Sequence, residues 1–540
     1  MKTWIKPYRS RTTFLIVLMS LYLTTRLIRL TQIPVFIDEA IFIHLAQIID
    51  SNWGNLFLTK LHAVQPLYVW IVAITQNFFK DPVLAGRLVS VAAGVVSLSG
   101  VYLIGRDFYS ERVGQVSAVL YLFCPYFIFH ERLALVDSLI NALGVWVVWV
   151  SLDITKNNTL SKKSFFLLGV LLGLALFTKT RGLVLFPAPI IIFLVWKTYA
   201  KTNFLNYLGL ITSIILLINL PYILSDQIVG YSDRNSFYSN SKSFIPLKIL
   251  LNLPFDTWWY NIKMAMVYFL SYLTLPVILL ATFGTFYAFA IKDKKGITLA
   301  LISIIPFLIV LLIGNMIFAR YYLAIVPPLI VLSGWSLVQL ANFISEKIVV
   351  LKLSMPGTSL LILIIFVVLE GILFSINLTL NPSIVNIPKI ERSGYLEPNP
   401  RSGYGVKEAA EFIISQGNKE PANVLTHWSQ GNPQDGVMLY LWENPRINIV
   451  PALWWPQSKK LFPQTKTFPI YPSKYQTSAT GVGRTESLKN VFFVRPVYTH
   501  LRKHFLKNNP EWKVIWRYST PYRADHIEIY KLMNSANDSK

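Results

Sequence analysis

Cysteine and charge are both scarce in this 540-residue chain. A single cysteine, Cys124, excludes an internal disulfide and any cysteine-based metal centre. It lies in an apolar run and reads as a small buried hydrophobe. Only 14% of the residues are charged and 54% are hydrophobic, whereas soluble globular chains are about a quarter charged. Acidic residues are the rarer sign, 27 Asp and Glu against 50 Lys and Arg, for a net charge of +23. In a soluble protein that excess suggests nucleic acid. Here the basic residues cluster in short loops between apolar runs, which points to cytoplasmic loops and phosphate-bearing lipids, and to no nucleic acid. The alternating short strands of a β-barrel are missing, as are internal repeats and low-complexity tracts. No small-residue cleavage site follows the first apolar run. Lys2, Lys6, Arg9 and Arg11 precede that run, so an uncleaved first span with a cytoplasmic N-terminus is expected.

What is present is a succession of apolar runs from residue 12 to residue 377, each near the ~20 residues that cross a bilayer. Spans are expected near 12–33, 83–105, 113–129, 138–154, 164–178, 183–199, 204–224, 263–290, 297–314, 321–345 and 357–377, about eleven in all. The stretch 64–79 is also apolar. Were it to cross, the basic loops Arg106 to Arg112, Lys156 to Lys163, Lys197 to Lys201 and Lys292 to Lys295 would all lie outside, against the positive-inside bias. Residues 39–80 are therefore expected to form outer-face interfacial helices anchored by Trp53 and Trp70. The outward loops then hold His130-Glu131-Arg132, Asp137, Lys179, Arg181, Arg234 and Arg320, on the face that carries Asp38. Charges at membrane depth are costly, so they pair or mark a site. Loop 225–262, with Tyr231, Asp233, Arg234 and Tyr238, suits either a lid over a sugar or an interfacial loop.

After residue 377 the composition changes. Pro382, Pro388 and Pro398 mark a linker over 381–399, and 400–540 reads as a small soluble α/β or α+β domain on the outer side. A helix over 406–416 and strands at 423–426, 491–494, 513–516 and 527–530 are expected, with 452–485 irregular.

The pair Asp38-Glu39 sits where the first apolar run ends. Its plain reading is a helix N-cap, Asp38 accepting from the free N–H groups. Its chemical reading is a general base. A second carboxylate, Asp137, and several cations expected on the same face favour the second. Asp38-Glu39 is followed by Gln65-Pro66-Leu67-Tyr68-Val69-Trp70, then Arg87-Leu88, then Arg132-Leu133-Ala134-Leu135-Val136-Asp137-Ser138. In this the chain resembles the GT-C glycosyltransferases of the protein O-mannosyltransferase and aminoarabinose transferase-like type. The motifs cover roughly the first two hundred residues, and the hydropathy covers the whole membrane region.

The resemblance implies an all-α polytopic membrane domain over 1–380 with an outward C-terminal domain. It also implies a polyprenyl-phosphate-sugar donor, inversion at the anomeric carbon, and Asp38 as the base. The acceptor would be a hydroxyl or phosphate of a lipid, protein or glycan, at the extracytoplasmic face of the cytoplasmic membrane. Arg132 matches the family's Arg…Asp loop, and Lys179 with Arg181 matches its Thr-Lys-Gly turn, so these three are expected to hold the donor phosphate. Glu39 and Asp137 are supporting acids, and Asp137 reads best as the partner of Arg132. Arg26 and Arg29 could neutralise Asp38 or Asp137, or simply reach the membrane surface. Arg26, His62, Gln65, Arg234 and Arg320 are further candidates for donor or acceptor contact. Two departures stand out: the aminoarabinose branch has lysine where Gln65 stands and an acid where Val64 stands. The lysine's phosphate contact must then move or weaken. The missing acid argues against an obligatory metal, although His62, Asp38 and Asp137 are hard ligands for a divalent ion. A transporter or flippase is the main alternative; it would show repeated halves and mid-membrane charge. A lipid-linked glycan ligase or polymerase is another, but that class lacks the Asp-Glu pair.

Overall fold

The computed structural model describes the chain except residues 1–4, 60–63, 156–161, 197–200, 226–243, 351–355, 398–401, 428–430, 443, 453–489, 497–505, 508–509, 520–524 and 534–540. In chain order the first helices are α1 (Ile5–Leu27), α2 (Ile37–Ser51), α3 (Leu67–Gln76), α4 (Pro82–Phe108), α5 (Glu111–Phe123) and α6 (Pro125–His130). Next come α7 (Val136–Asp153), α8 (Lys162–Thr178), α9 (Pro187–Trp196), α10 (Lys201–Leu224), α11 (Leu247–Leu251), α12 (Phe255–Tyr272) and α13 (Leu275–Ala290). Then follow α14 (Lys294–Ile313), α15 (Val326–Val350), α16 (Pro356–Leu380), α17 (Lys389–Tyr395), α18 (Val406–Lys419) and α19 (Gln434–Leu441). Five strands complete the chain: β1 (Ala422–His427), β2 (Ile447–Ala452), β3 (Val491–Pro496), β4 (Trp512–Ser519) and β5 (Asp525–Leu532).

The chain folds as two compact units that interleave in sequence. Unit one holds Met1–Leu30, Thr59–Tyr68 and Arg87–Pro388; unit two holds Thr31–Leu58, Val69–Gly86 and Lys389–Lys540. In unit one, α15 with the turn before it is the most enclosed span, 83% buried over its apolar window, against 22% for α10 and 28% for α16. The outer faces of α10 and α16 present Leu217, Leu220, Phe366 and Leu373, as lipid-facing surfaces do. Helix α8 packs on α10 through Gly169 and Gly173, where an added Cβ would crowd the Cα atoms of Ile211 and Ile215. Small residues four apart let two backbones approach in this way.

Among the described residues six helices are long and apolar enough to cross a bilayer, or seven if the bent pair α12–α13 is one span. The count of about eleven is not reached by this measure, for local reasons. The run expected at 113–129 breaks at Cys124, where Pro125 starts a new helix. The run at 263–290 turns by 111° at Thr274, ahead of Pro276. The run at 183–199 is divided between a 3₁₀ turn (Thr180–Leu185) and the ten-residue α9. The ambiguous stretch 64–79 forms only the ten residues of α3, about 15 Å of helix, half a hydrocarbon core.

In unit two the sheet runs β2-β1-β3-β5-β4. Strands β1, β2 and β3 are parallel, and β5 is antiparallel to both β3 and β4. Its core is Leu425, Val491, Phe493, Trp512 and Tyr530. Helix α18 buries Val406, Ala409, Ala410 and Ile413, the apolar stripe of a 3.6-residue period. The expected α18, β1, β3, β4 and β5 are all present, and β2 was not foreseen. Most of the expected irregular stretch 452–485 lies outside the described residues.

Candidate active site

In unit one, a carboxylate and three cations gather around a tyrosine ring. Asp137 lies in the first turn of α7, where the helix dipole favours an anion. Lys179 Nζ donates to both of its oxygens, at 2.8 and 3.1 Å. Arg320 Nε stands 3.9 Å from Oδ2. Arg181 stacks on the Tyr321 ring, and Lys179 Nζ lies 5.5 Å from the centre of the same ring. The turn that presents Lys179 and Arg181 is set by Gly182, whose N–H bonds the Lys179 carbonyl at 2.8 Å. A Cβ on Gly182 would fall 2.5 Å from the Ala175 carbonyl, so a larger residue would push the turn off the end of α8. Lys179 sits in the loop beyond α8. Burial pushes its ammonium down to about 8, Asp137 pulls it back up, and Arg181 and Arg320 add to the depression. Three basic side chains against one carboxylate leave excess positive charge, which suits an anion. Gln65 borders the turn, donating from Nε2 to Thr180 Oγ1 at 2.6 Å.

Two expected pairings are replaced by others. Asp137 takes Lys179 and Arg320, while Arg132 is 1% exposed and holds the end of α1. Its guanidinium donates to the carbonyls of Thr25, Ile28 and Arg29 at 2.9, 2.9 and 3.0 Å. These are carbonyls that a helix end leaves without partners. Arg29, in the left-handed region at φ 51°, makes the terminating turn. Arg26 is engaged by Glu131. Its Nε donates to Glu131 Oε2 at 3.0 Å, both side chains fully buried. The hydroxyls of Tyr22 and Tyr121 reach the same carboxylate at 3.0 and 2.6 Å, and Asn141 Nδ2 donates to Tyr121 Oη at 2.9 Å. Glu131, Tyr22 and Tyr321 were missed as parts of these clusters. The signals present were the His130-Glu131-Arg132 charges at a span end and the Tyr22–Arg26 spacing on one helix face.

The carboxylate pair Asp38-Glu39 belongs to unit two, in the first turn of α2. The N-cap is Phe36, and the capping is done by Glu39, whose Oε2 accepts from the Phe36 N–H at 2.9 Å. Glu39 is fully buried, and Asp38 is half-buried. The N-cap reading of Asp38 thus passes to its neighbour. Helix α2 is pinned within its unit by His44 Nδ1 to Asp435 Oδ1 at 2.6 Å, by Gln47 Nε2 to the Leu439 carbonyl at 3.1 Å, and by the Phe36 ring packed at a tilt against Tyr395. His62 and Arg234 lie outside the described residues, as does the stretch 226–243 of loop 225–262. No group of three His, Cys, Asp or Glu that could hold a metal is found among the described residues.

A helical membrane domain with this bundle and a small C-terminal sheet defines a GT-C type fold. Residues 62–224 match the family described as dolichyl-phosphate-mannose-protein mannosyltransferase. The chain is similar to ArnT from Cupriavidus metallidurans bound to undecaprenyl phosphate, with a TM-score of 0.58 and 11% identity over 97% of this chain and 98% of that one. It is similar to the Archaeoglobus fulgidus oligosaccharyltransferase in its apo form, with a TM-score of 0.54 and 13% identity over 99% and 76%. The Archaeoglobus fulgidus AglB in complex with an inhibitory peptide and a dolichol-phosphate follows at 0.52 and 12%, over 100% and 75%. Comparison with curated proteins by sequence finds no match. The resemblance to GT-C glycosyltransferases of the ArnT-like and protein mannosyltransferase type is borne out, and the chain is a multi-pass membrane protein.

Proposed function

We propose that this protein transfers a hexosyl or pentosyl unit from a polyprenyl-phosphate carrier to an acceptor hydroxyl or phosphate, inverting the anomeric carbon, at the extracytoplasmic face of the cytoplasmic membrane. The observation that carries this reading is the cluster of Lys179, Arg181 and Arg320 around Asp137 and Tyr321. As the bond from the anomeric carbon to the phosphate oxygen breaks, negative charge grows on the departing lipid phosphate. Fixed cations in a low-dielectric site stabilise that charge. Structurally similar proteins solved with undecaprenyl phosphate and with a dolichol-phosphate support the same carrier class here. Asp38 takes the acceptor proton as the acceptor oxygen attacks, because a neutral hydroxyl is a weak nucleophile. Glu39, engaged with the Phe36 N–H, orients that turn. Arg132 acts in position only, by fixing the end of α1. The division into a transferase membrane domain over 1–380, a linker over 381–399 and an outer domain over 400–540 belongs to the same proposal.

The test is Asp38→Asn in the purified full chain. Transfer should fall at least ~100-fold, the range of general-base contributions, with melting temperature and polyprenyl-phosphate binding unchanged. Turnover at the wild-type rate removes Asp38 from the mechanism. Mass spectrometry of the polyprenyl-phosphate sugars that accumulate in a deletion strain would name the donor.

A further inference from the structure

Unit two contains a cavity of about 550 Å³, remote in sequence from the cation cluster of unit one. Small-molecule sites fall at about 300–1,000 Å³. Its walls come from the C-terminal half of α2, the end of α3, the turn into α4, and α18 and α19. Three features of the lining are informative.

The first is an acceptor set in advance. Gln47 is 8% exposed, and its Nε2 is committed to the Leu439 carbonyl at 3.1 Å. Its Oε1 is buried and has no hydrogen-bond partner. An unpartnered buried acceptor is costly, and a small shift of the side chain would present it to a hydroxyl in the cavity that Gln47 lines. Gln76 is held in the same manner, Nε2 to the Ile43 carbonyl at 3.2 Å. Asn77 Nδ2 is fixed to Asp50 Oδ1 at 2.9 Å. The amides are oriented before any ligand arrives, which lowers the ordering cost of binding.

The second is aromatic surface. Tyr440 and Trp442 line the cavity beside these amides, and both are half-buried. Flat faces next to fixed amides match a ring with apolar C–H faces and a polar hydroxyl edge. The third is charge balance. Asp50 and Asp81 share the lining with Lys80 and Lys407. Asp81 Oδ1 already accepts from the N–H groups of Val83 and Leu84, at 2.9 and 3.1 Å. A phosphate or polyanion would find no net field here, in contrast to the cation cluster of unit one.

We propose that this cavity binds a neutral carbohydrate: a short glycan whose hydroxyls donate to Gln47 Oε1 and whose ring packs on Tyr440 and Trp442. The assignment is independent of the transfer reaction, because binding can be measured without turnover and none of these residues belongs to the proposed catalytic set.

The test uses the intact chain in a detergent without a sugar headgroup, with maltotriose, mannotriose and chitotriose as probes, read by saturation-transfer NMR and calorimetry. A sulfated trisaccharide is the anionic comparison. At least one neutral trisaccharide should bind with a Kd of about 1 mM or tighter, on the affinity scale where about 4 kcal/mol suffices. Gln47→Met, which keeps the side chain's length and removes its acceptor, should weaken that binding about tenfold or more. Tyr440→Ala should do the same, and melting curves identify which variants are folded. The proposal is overturned if folded wild-type protein binds none of the neutral probes, if it binds only the sulfated one, or if the folded variants bind as tightly as wild type.

Discussion

Lys179 shows how little separates a structural ion pair from a working cation. It grips Asp137 with both oxygens in reach, yet burial and two neighbouring guanidinium groups push it down to about 8. The direction gives a pH dependence. Below about 8 the ammonium is charged and can serve the leaving phosphate; above it the proton is lost and that contribution fades. Donor binding should therefore weaken as pH rises from 7 to 9.5. Lys179→Arg, charged over the whole range, should flatten that limb of the profile. Binding of polyprenyl phosphate measured against pH decides it, and a wild-type curve flat to pH 9.5 rules the role out. Glu131 makes the opposite case. Its carboxylate is fully buried with Arg26, Tyr22 and Tyr121, so it is tied to packing. Glu131→Ala leaves a buried guanidinium unpaired and should cost about 3–5 kcal/mol, read as lost folded protein in a thermal melt.

At the scale of single elements, the end of α1 is held from outside the helix. Arg132 offers a planar fork to three carbonyls, and Arg87 Nη1 donates to the Leu30 carbonyl at 2.8 Å. A lysine at 132 keeps the charge but cannot reach three carbonyls at once. Arg132→Lys should lower the melting temperature, each abandoned carbonyl costing about 1–3 kcal/mol. The folded fraction should bind donor lipid as wild type does. A variant of normal stability with weakened donor binding would return Arg132 to the phosphate. This clamp also marks where reading the sequence fails. Hydropathy located α4, α7, α10, α14 and α15, because twenty apolar residues carry their own signal. Partner choice among charges carries none: Arg26 and Glu131 lie 105 positions apart, and nothing local distinguishes Glu131 from Asp137 as the partner. Strand β2 was missed for a related reason. Pro451 in Ile447–Ala452 argues against a central strand, and β2 is in fact an edge strand, where proline is tolerated.

For the whole molecule, the consequential fact is that the residues of α2 fold with the C-terminal region. Composition alone makes 400–540 an appendage behind a proline-rich linker. The contacts inside unit two give it a further task, because His44 is bound to Asp435, Gln47 to Leu439, Phe36 to Tyr395, and Asn432 Nδ2 to the Val35 carbonyl at 2.8 Å. These three hydrogen bonds and one ring contact hold the helix whose first turn carries Asp38, or the residues that lead into it. The helices and loops of the C-terminal region therefore have a structural effect on the proposed base. Ending the chain after Pro388 removes Tyr395, Asn432, Asp435 and Leu439 together. The shortened protein should insert and still bind polyprenyl phosphate through the Lys179 cluster of unit one. Its α2 should become open to proteolysis, and sugar transfer should fall at least ~100-fold, as far as it does when the base itself is lost. Asp435→Asn, a milder change at one of these bonds, should lower transfer in part and raise cleavage within 37–51. A truncated chain that transfers sugar at the wild-type rate would show that the first turn of α2 holds its geometry unaided, and would separate the C-terminal region from the chemistry.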